Sequence, residues 1–154
     1  MGDRPHLMVV ESRYYDDIAT ELRNGAAAAI EKAGASAEIY EVPGALEIPA
    51  AIRFAVKAMD VASGRRRFDG YVALGCVIRG ETTHYDTVAG ESARGLMDLA
   101  LRHSLALGNG ILTCETHEQA WVRAAVNDGD KGGLAARACL AMIEIKRRLK
   151  LFPR

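Results

Sequence analysis

The segment 75–86, Gly-Cys-Val-Ile-Arg-Gly-Glu-Thr-Thr-His-Tyr-Asp, gathers a glycine, two hydroxyls and a histidine into one short polar turn. Gly80 lets the main chain come close to a ligand, Thr82 and Thr83 carry hydroxyl donors, and His84 is the residue type that moves a proton near neutral pH. The combination suits an anion held beside a proton shuttle. Gly80, Glu81 and Thr82, placed just ahead of a helix, form a phosphate cradle, provided that Glu81 turns its carboxylate outward. Elsewhere Tyr14 offers a ring that stacks on a flat heterocycle, and Glu47 accepts hydrogen bonds from ring nitrogens or sugar-like hydroxyls.

A frame must bring these residues together. The apolar run 71–78 reads as a buried strand that empties into the polar turn, with a helix following at once. In an open parallel sheet, ligands bind beyond the carboxyl ends of the strands, where loops and helix N-termini meet. The run 6–11 predicts a first strand and 12–17 a polar loop. Ile18, Leu22, Ala26, Ala29, Ile30 and Ala33 then recur at helical spacing up to Gly34. Residues 37–42 predict a second strand ended by Pro43-Gly44, and 48–59 a helix with Pro49 tolerated in its first turn. A basic loop at 64–69 leads to the third strand, and the third helix is expected from about 86 to 107. Gly108-Asn109-Gly110 reads as a turn into a fourth strand at 111–114. Thr116 and Gln119 have the form of a capping box, the next helix breaks near Asp128-Gly129-Asp130, and a last helix runs from about 133 to 149.

This alternation predicts one α/β domain over 1–154, a flavodoxin-like three-layer sandwich with a four-stranded parallel sheet of order 2-1-3-4 and helices on both faces. Loops 11–16, 43–47, 79–85 and 115–117 then share one sheet edge, where Tyr14, Glu47, Thr82 and His84 line a pocket. Asn109, ahead of strand four, falls at the opposite edge, about 15 Å away. Arg123, two turns into its helix, is about 10 Å from the sheet edge. If either serves a site, it serves a neighbouring copy's, a hint of a homo-oligomer.

Twenty basic and twenty acidic residues cancel, so no field of one sign recruits nucleic acid or an anionic membrane. Arg65-Arg66-Arg67 and Lys146-Arg147-Arg148 read as a solvated loop and a solvated helix end. Cys76, Cys114 and Cys139 sit in apolar runs, as reduced, buried thiols of a cytoplasmic protein do. With neither a signal peptide nor a span of membrane length in view, the chain is expected to be soluble. A zinc site drawn from Cys76, His84, Cys114 and His117 is disfavoured because side chains alternate along strands, so no metal is expected. Trp121 and Met142 read as core or interface fillers.

Taken together, Ser-Arg-Tyr-Tyr-Asp around Tyr14, Pro-Gly-Ala-Leu-Glu-Ile-Pro at 43–49, the turn at 75–85, Gly-Ile-Leu-Thr at 110–113, Glu-Gln-Ala at 118–120, Arg123 and Gly-Asp-Lys-Gly at 129–132 resemble the lumazine synthase family. The likeness spans nearly the whole chain, in order and at family spacing. It implies condensation of 5-amino-6-(D-ribitylamino)uracil with 3,4-dihydroxy-2-butanone 4-phosphate to 6,7-dimethyl-8-ribityllumazine, phosphate and water, without a cofactor. By the same resemblance, Tyr14 stacks on the pyrimidine, and Ala45, Leu46 and Glu47 with Cys76, Val77 and Ile78 hold ring and ribityl chain. Glu81 and Thr82 occupy phosphate-loop positions, Arg123 reaches the phosphate, and His84 is the proton donor. Asn109 and Lys131 match subunit-boundary positions, Asn109 standing where many members carry phenylalanine. The segment 124–128 lacks the Gly-Thr-Lys-Ala-Gly form of icosahedral members, which points to a pentamer without a closed shell. The rival readings are a flavin or lumazine binder without turnover, a shell protein with incidental ligand binding, and a flavodoxin-like electron carrier. The last is disfavoured by the bulky residues 12–15 after strand one.

Overall fold

The structure, a computed structural model, describes residues 4–61 and 67–152. In chain order the elements are β1 (His6–Ser12), α1 (Asp16–Lys32), β2 (Ser36–Val42), a 3-10 turn (Ala45–Glu47), α2 (Ile48–Val61), β3 (Gly70–Ile78), α3 (His84–His103), β4 (Leu107–Cys114), α4 (His117–Ala124) and α5 (Lys131–Arg148). The strands form one parallel sheet of order β2-β1-β3-β4, the expected flavodoxin-like three-layer arrangement.

Alternation along the buried strands divides the core in two. Leu7 and Val9 of β1, with Val72 and Leu74 of β3, face α1, α4 and α5, where Ile18, Leu22, Ala120, Ala136 and Ile143 meet them. Met8 and Val10, with Tyr71 and Ala73, face α2 and α3 through Ile52, Val56, Leu96 and Leu99. Strands buried on both faces read as continuous apolar runs, which is why β1 and β3 stand out in the sequence. Helix α1 opens on Asp16 and Asp17, favoured by the helix dipole, and the chain leaves it through Gly34 at φ 73°, a conformation that glycine adopts without strain.

The fourth strand corrects the expectation that 108–110 is a turn. β4 starts at Leu107, and Asn109 lies inside it, paired in register with Ala73. Gly108 is there for packing: α5 crosses β4 so closely that a Cβ at this position would collide with the Ala135 carbonyl. The third helix correspondingly stops at His103 instead of 107, because Ser104 turns left-handed at φ 54°, and Lys146 Nζ donates to its carbonyl at 2.6 Å.

The run 146–148 is not simply a solvated helix end, since Lys146 is held by Ser104 and Arg147 lies over the Phe152 ring, 4.3 Å from its centroid. In the run 65–67, Arg67 pairs with Glu38 at 2.7 Å, while Arg65 and Arg66 lie outside the described residues. Trp121 and Met142 are 42% and 43% exposed, which leaves the interface half of the core-or-interface expectation. Among the described residues no helix is long and apolar enough to cross a membrane.

Candidate active site

A cavity of about 530 Å³ opens beyond the carboxyl ends of β1, β2 and β3. Tyr14, Ala45, Leu46, Glu47, Cys76, Val77, Ile78, Thr82 and His84 all line it, which brings together the residues expected at this sheet edge. Each arrives by a local cause. The turn leaving β1 presents Tyr14, 77% exposed, with its ring edge-on to Tyr15 at 5.0 Å between centroids. Pro43-Gly44 ends β2, and the Gly44 carbonyl accepts from Glu47 N at 3.1 Å, winding the 3-10 turn that carries Ala45, Leu46 and Glu47.

The polar turn after β3 is shaped by its own side chains. Thr82 Oγ1 accepts from His84 N at 3.3 Å, and the Thr83 carbonyl accepts from Asp86 N at 3.0 Å. His84 is the exposed first residue of α3, whose N-terminus favours negative charge. Gly80 and Thr82 border the cavity, while Glu81 between them is exposed and is not part of its lining. Burial pushes the Cys76 thiol up to about 12, with Cys114 and Asp17 nearby adding to the shift, so this thiol is neutral near pH 7.

Ser12, Tyr15, Tyr85 and Val88 also line the cavity, though none stood out in the sequence as a site residue. For Val88 the signal was present: it lies one turn beyond His84 on α3 and shares its face, but its apolar character read only as core spacing.

Asn109, Arg123 and Lys131 do not join this cavity. They line a second one, about 350 Å³, along β4 and against α5, and no residue borders both. α4 is started by Thr116, whose Oγ1 accepts from Gln119 N at 3.2 Å, while Gln119 Oε1 accepts from Glu115 N at 2.8 Å. The reciprocal bond thus reaches one residue further out than a capping box requires. Arg123, one turn beyond Gln119, donates through Nη1 to its carbonyl at 3.0 Å. Asp130, left-handed at φ 48°, caps α5 and sets Lys131 as its first residue. Asn109 Oδ1 accepts from Ile111 N at 2.9 Å and so lies along the strand.

The two cavities differ in charge. The first is bordered by a carboxylate, hydroxyls and His84 but by no lysine or arginine; the second is bordered by Arg123 and Lys131 and by no acid. Among the described residues no group of three or more His, Cys, Asp or Glu is placed to hold a metal ion.

The family model described as 6,7-dimethyl-8-ribityllumazine synthase matches residues 4–147. The chain is 60% identical over 144 residues to 6,7-dimethyl-8-ribityllumazine synthase 1 of Rhizobium meliloti (strain 1021), covering 94% of this chain and 93% of that protein. It is 57% identical over 146 residues to the 6,7-dimethyl-8-ribityllumazine synthase of Agrobacterium fabrum, covering 95% and 97%. To the 6,7-dimethyl-8-ribityllumazine synthase of Methylorubrum extorquens (strain PA1) it is 61% identical over 147 residues, covering 96% and 84%. With a match of this extent laid over both cavities, the chain belongs to the 6,7-dimethyl-8-ribityllumazine synthase family.

Proposed function

We propose that this chain is a transferase-class enzyme that condenses 5-amino-6-(D-ribitylamino)uracil with 3,4-dihydroxy-2-butanone 4-phosphate, giving 6,7-dimethyl-8-ribityllumazine, phosphate and water in the penultimate step of riboflavin biosynthesis. The observation that carries the reading is the family match over residues 4–147.

The residues take these roles. Tyr14 stacks on the pyrimidine, while Ala45, Leu46 and Glu47, with Cys76, Val77 and Ile78, hold the ring and ribityl chain. Thr82, Gly80 and the amino end of α3 receive the phosphate from one side, with Glu81 at its phosphate-loop position between them. Arg123 grips it from the other as a planar fork, and Lys131 adds charge. His84 gives and takes protons as the imine forms, phosphate leaves and the ring closes with loss of water. Much of the rate comes from holding two substrates together, and the family likeness implies a reaction without a cofactor.

Because His84 and Arg123 border different cavities of one chain, the complete site forms where the first cavity of one copy meets the second cavity of the next. Contact between two unlike patches is heterologous, and such contacts form a ring where the rotation between neighbours closes. A ring of five copies without an outer shell fits the lack, at 124–128, of the Gly-Thr-Lys-Ala-Gly form of icosahedral members. Exposed Phe54 and Val61 on α2 and Met97 and Leu101 on α3 supply apolar surface for it. The free, buried Cys76, Cys114 and Cys139 fit work in the reducing cytoplasm.

The test is direct. Purified protein given both substrates develops the absorbance of the lumazine product, and none develops when either is left out. No product from the pair overturns the reading.

A further inference from the structure

Glu11 is a carboxylate near the carboxyl end of β1 that is 1% exposed and does not line the first cavity. Alternation along β1 turns it toward α1, on the side of Leu7 and Val9 and away from the cavity. There it meets two guanidinium groups: Arg23 of α1 donates to both its oxygens, and Arg13 Nη1 donates to Oε1 at 3.1 Å. Removing a carboxylate from water is costly, and a buried ion pair adds little net stability over apolar packing. What it supplies is direction.

That direction is passed to one turn. Arg13 Nε donates to Asp16 Oδ1 at 2.9 Å, and Nη2 donates to the Asp16 carbonyl at 3.2 Å and to Thr20 Oγ1 at 2.6 Å. Thr20 Oγ1 in turn donates to the Asp16 carbonyl at 2.9 Å. One side chain therefore ties the end of β1, the turn and the first coil of α1 together. Tyr14 sits inside that tie, 77% exposed, with an edge contact to Tyr15 as its ring partner.

We infer that Arg13, anchored on buried Glu11, is a positioning residue that fixes the turn from behind so that Tyr14 presents its face to the pyrimidine substrate. The inference rests on the proposed function and deepens it: it assigns binding of the ribitylaminouracil, and not of the butanone phosphate, to a pair of residues outside the cavity. With Tyr14 held in advance, binding does not spend free energy on ordering its turn.

The experiment is a double-mutant cycle on the intact protein, with each substrate varied in turn. Arg13→Ala is expected to raise KM for the ribitylaminouracil about tenfold, the scale of one lost base–aromatic stack. KM for the butanone phosphate and kcat should stay within about twofold. In a Tyr14→Ala background, Arg13→Ala should add nothing, because there is no ring left to aim. An unchanged KM, or the same rise with Tyr14 absent, overturns the inference and leaves the proposed function standing. If Arg13→Ala does not fold, Thr20→Val removes the hydroxyl's bonds to Arg13 and to the Asp16 carbonyl and should give a rise of about threefold or more under the same criteria, the scale of one or two hydrogen bonds. Absence of turnover by the unaltered chain overturns both readings.

Discussion

Arg79 Nε lies 2.9 and 3.1 Å from the two carboxylate oxygens of Glu115, joining the residue after β3 to the residue after β4. The same guanidinium sits over the Tyr85 ring, 4.3 Å from its centroid, and its Nη1 is 3.5 Å from Asp86 Oδ1. The turn 80–84 is thus closed at both ends by one side chain. Exposed ion pairs of this kind contribute little to stability, but a small displacement at a reacting centre is costly in rate.

Arg79→Ala is accordingly expected to leave the melting temperature within about 3 °C, since less than about 1 kcal/mol is at stake. It should raise KM for the butanone phosphate several-fold while KM for the ribitylaminouracil holds. Steady-state kinetics with each substrate varied decides it; a KM for the phosphate that does not move counts against the tie.

His84→Ala should slow turnover by about a hundredfold at most, the low end of what a general acid–base residue contributes, and should not abolish it. Holding two reactants side by side supplies the remainder. A rate equal to that of the unaltered enzyme removes His84 from the mechanism.

Complementation tests the division of the site between copies. His84→Ala and Arg123→Ala proteins are each expected to be slow. When they are unfolded together and refolded as mixed rings, about a quarter of the shared sites regain both wild-type groups, by random placement around a closed ring. Activity that stays at the mean of the two parents would mean that both groups serve one chain's site.

At the amino ends of the strands, His6 Nε2 lies 2.8 Å from Glu38, which Arg67 also meets at 2.7 Å and Tyr40 at 2.9 Å. These bonds, His6 first, hold the Glu38 carboxyl down at about 2, below its value of 4.5 when free. A carboxyl whose pKa is lowered by folding stabilises the fold above the unfolded value, and that contribution is lost as pH falls from about 4.5 toward 2. Because the pair is partly exposed, the effect is about 1 kcal/mol or less. Denaturant melts at pH 6 and pH 3 should show a smaller acid loss for Glu38→Gln than for the unaltered chain. Equal losses would remove Glu38 from the acid response.

Several elements were legible because their causes are local. β1 and β3 are apolar on both faces, α1 repeats Ile18, Leu22, Ala26 and Ile30 at helical spacing, and Thr116 with Gln119 announces α4. Strand order followed from the alternation of strands and helices, since right-handed crossovers leave few topologies. The start of β4 was not legible. Gly108 has the local appearance of a turn residue, and its actual cause is the passage of Ala135 on α5, more than twenty residues later in the chain.

The same distinction runs through the site. Residue types and spacing alone determined that a histidine, a tyrosine and a turn carrying glycine and threonine lie at one sheet edge, because each is set by neighbours in sequence. Helix position already set Arg123 apart from His84; only the tertiary structure decided that Asn109, Arg123 and Lys131 border one second cavity, and that Glu11 stands buried behind Tyr14. Those relations depend on which face of the sheet each helix covers, and a helix face is settled by packing against distant segments, not by the residues beside it.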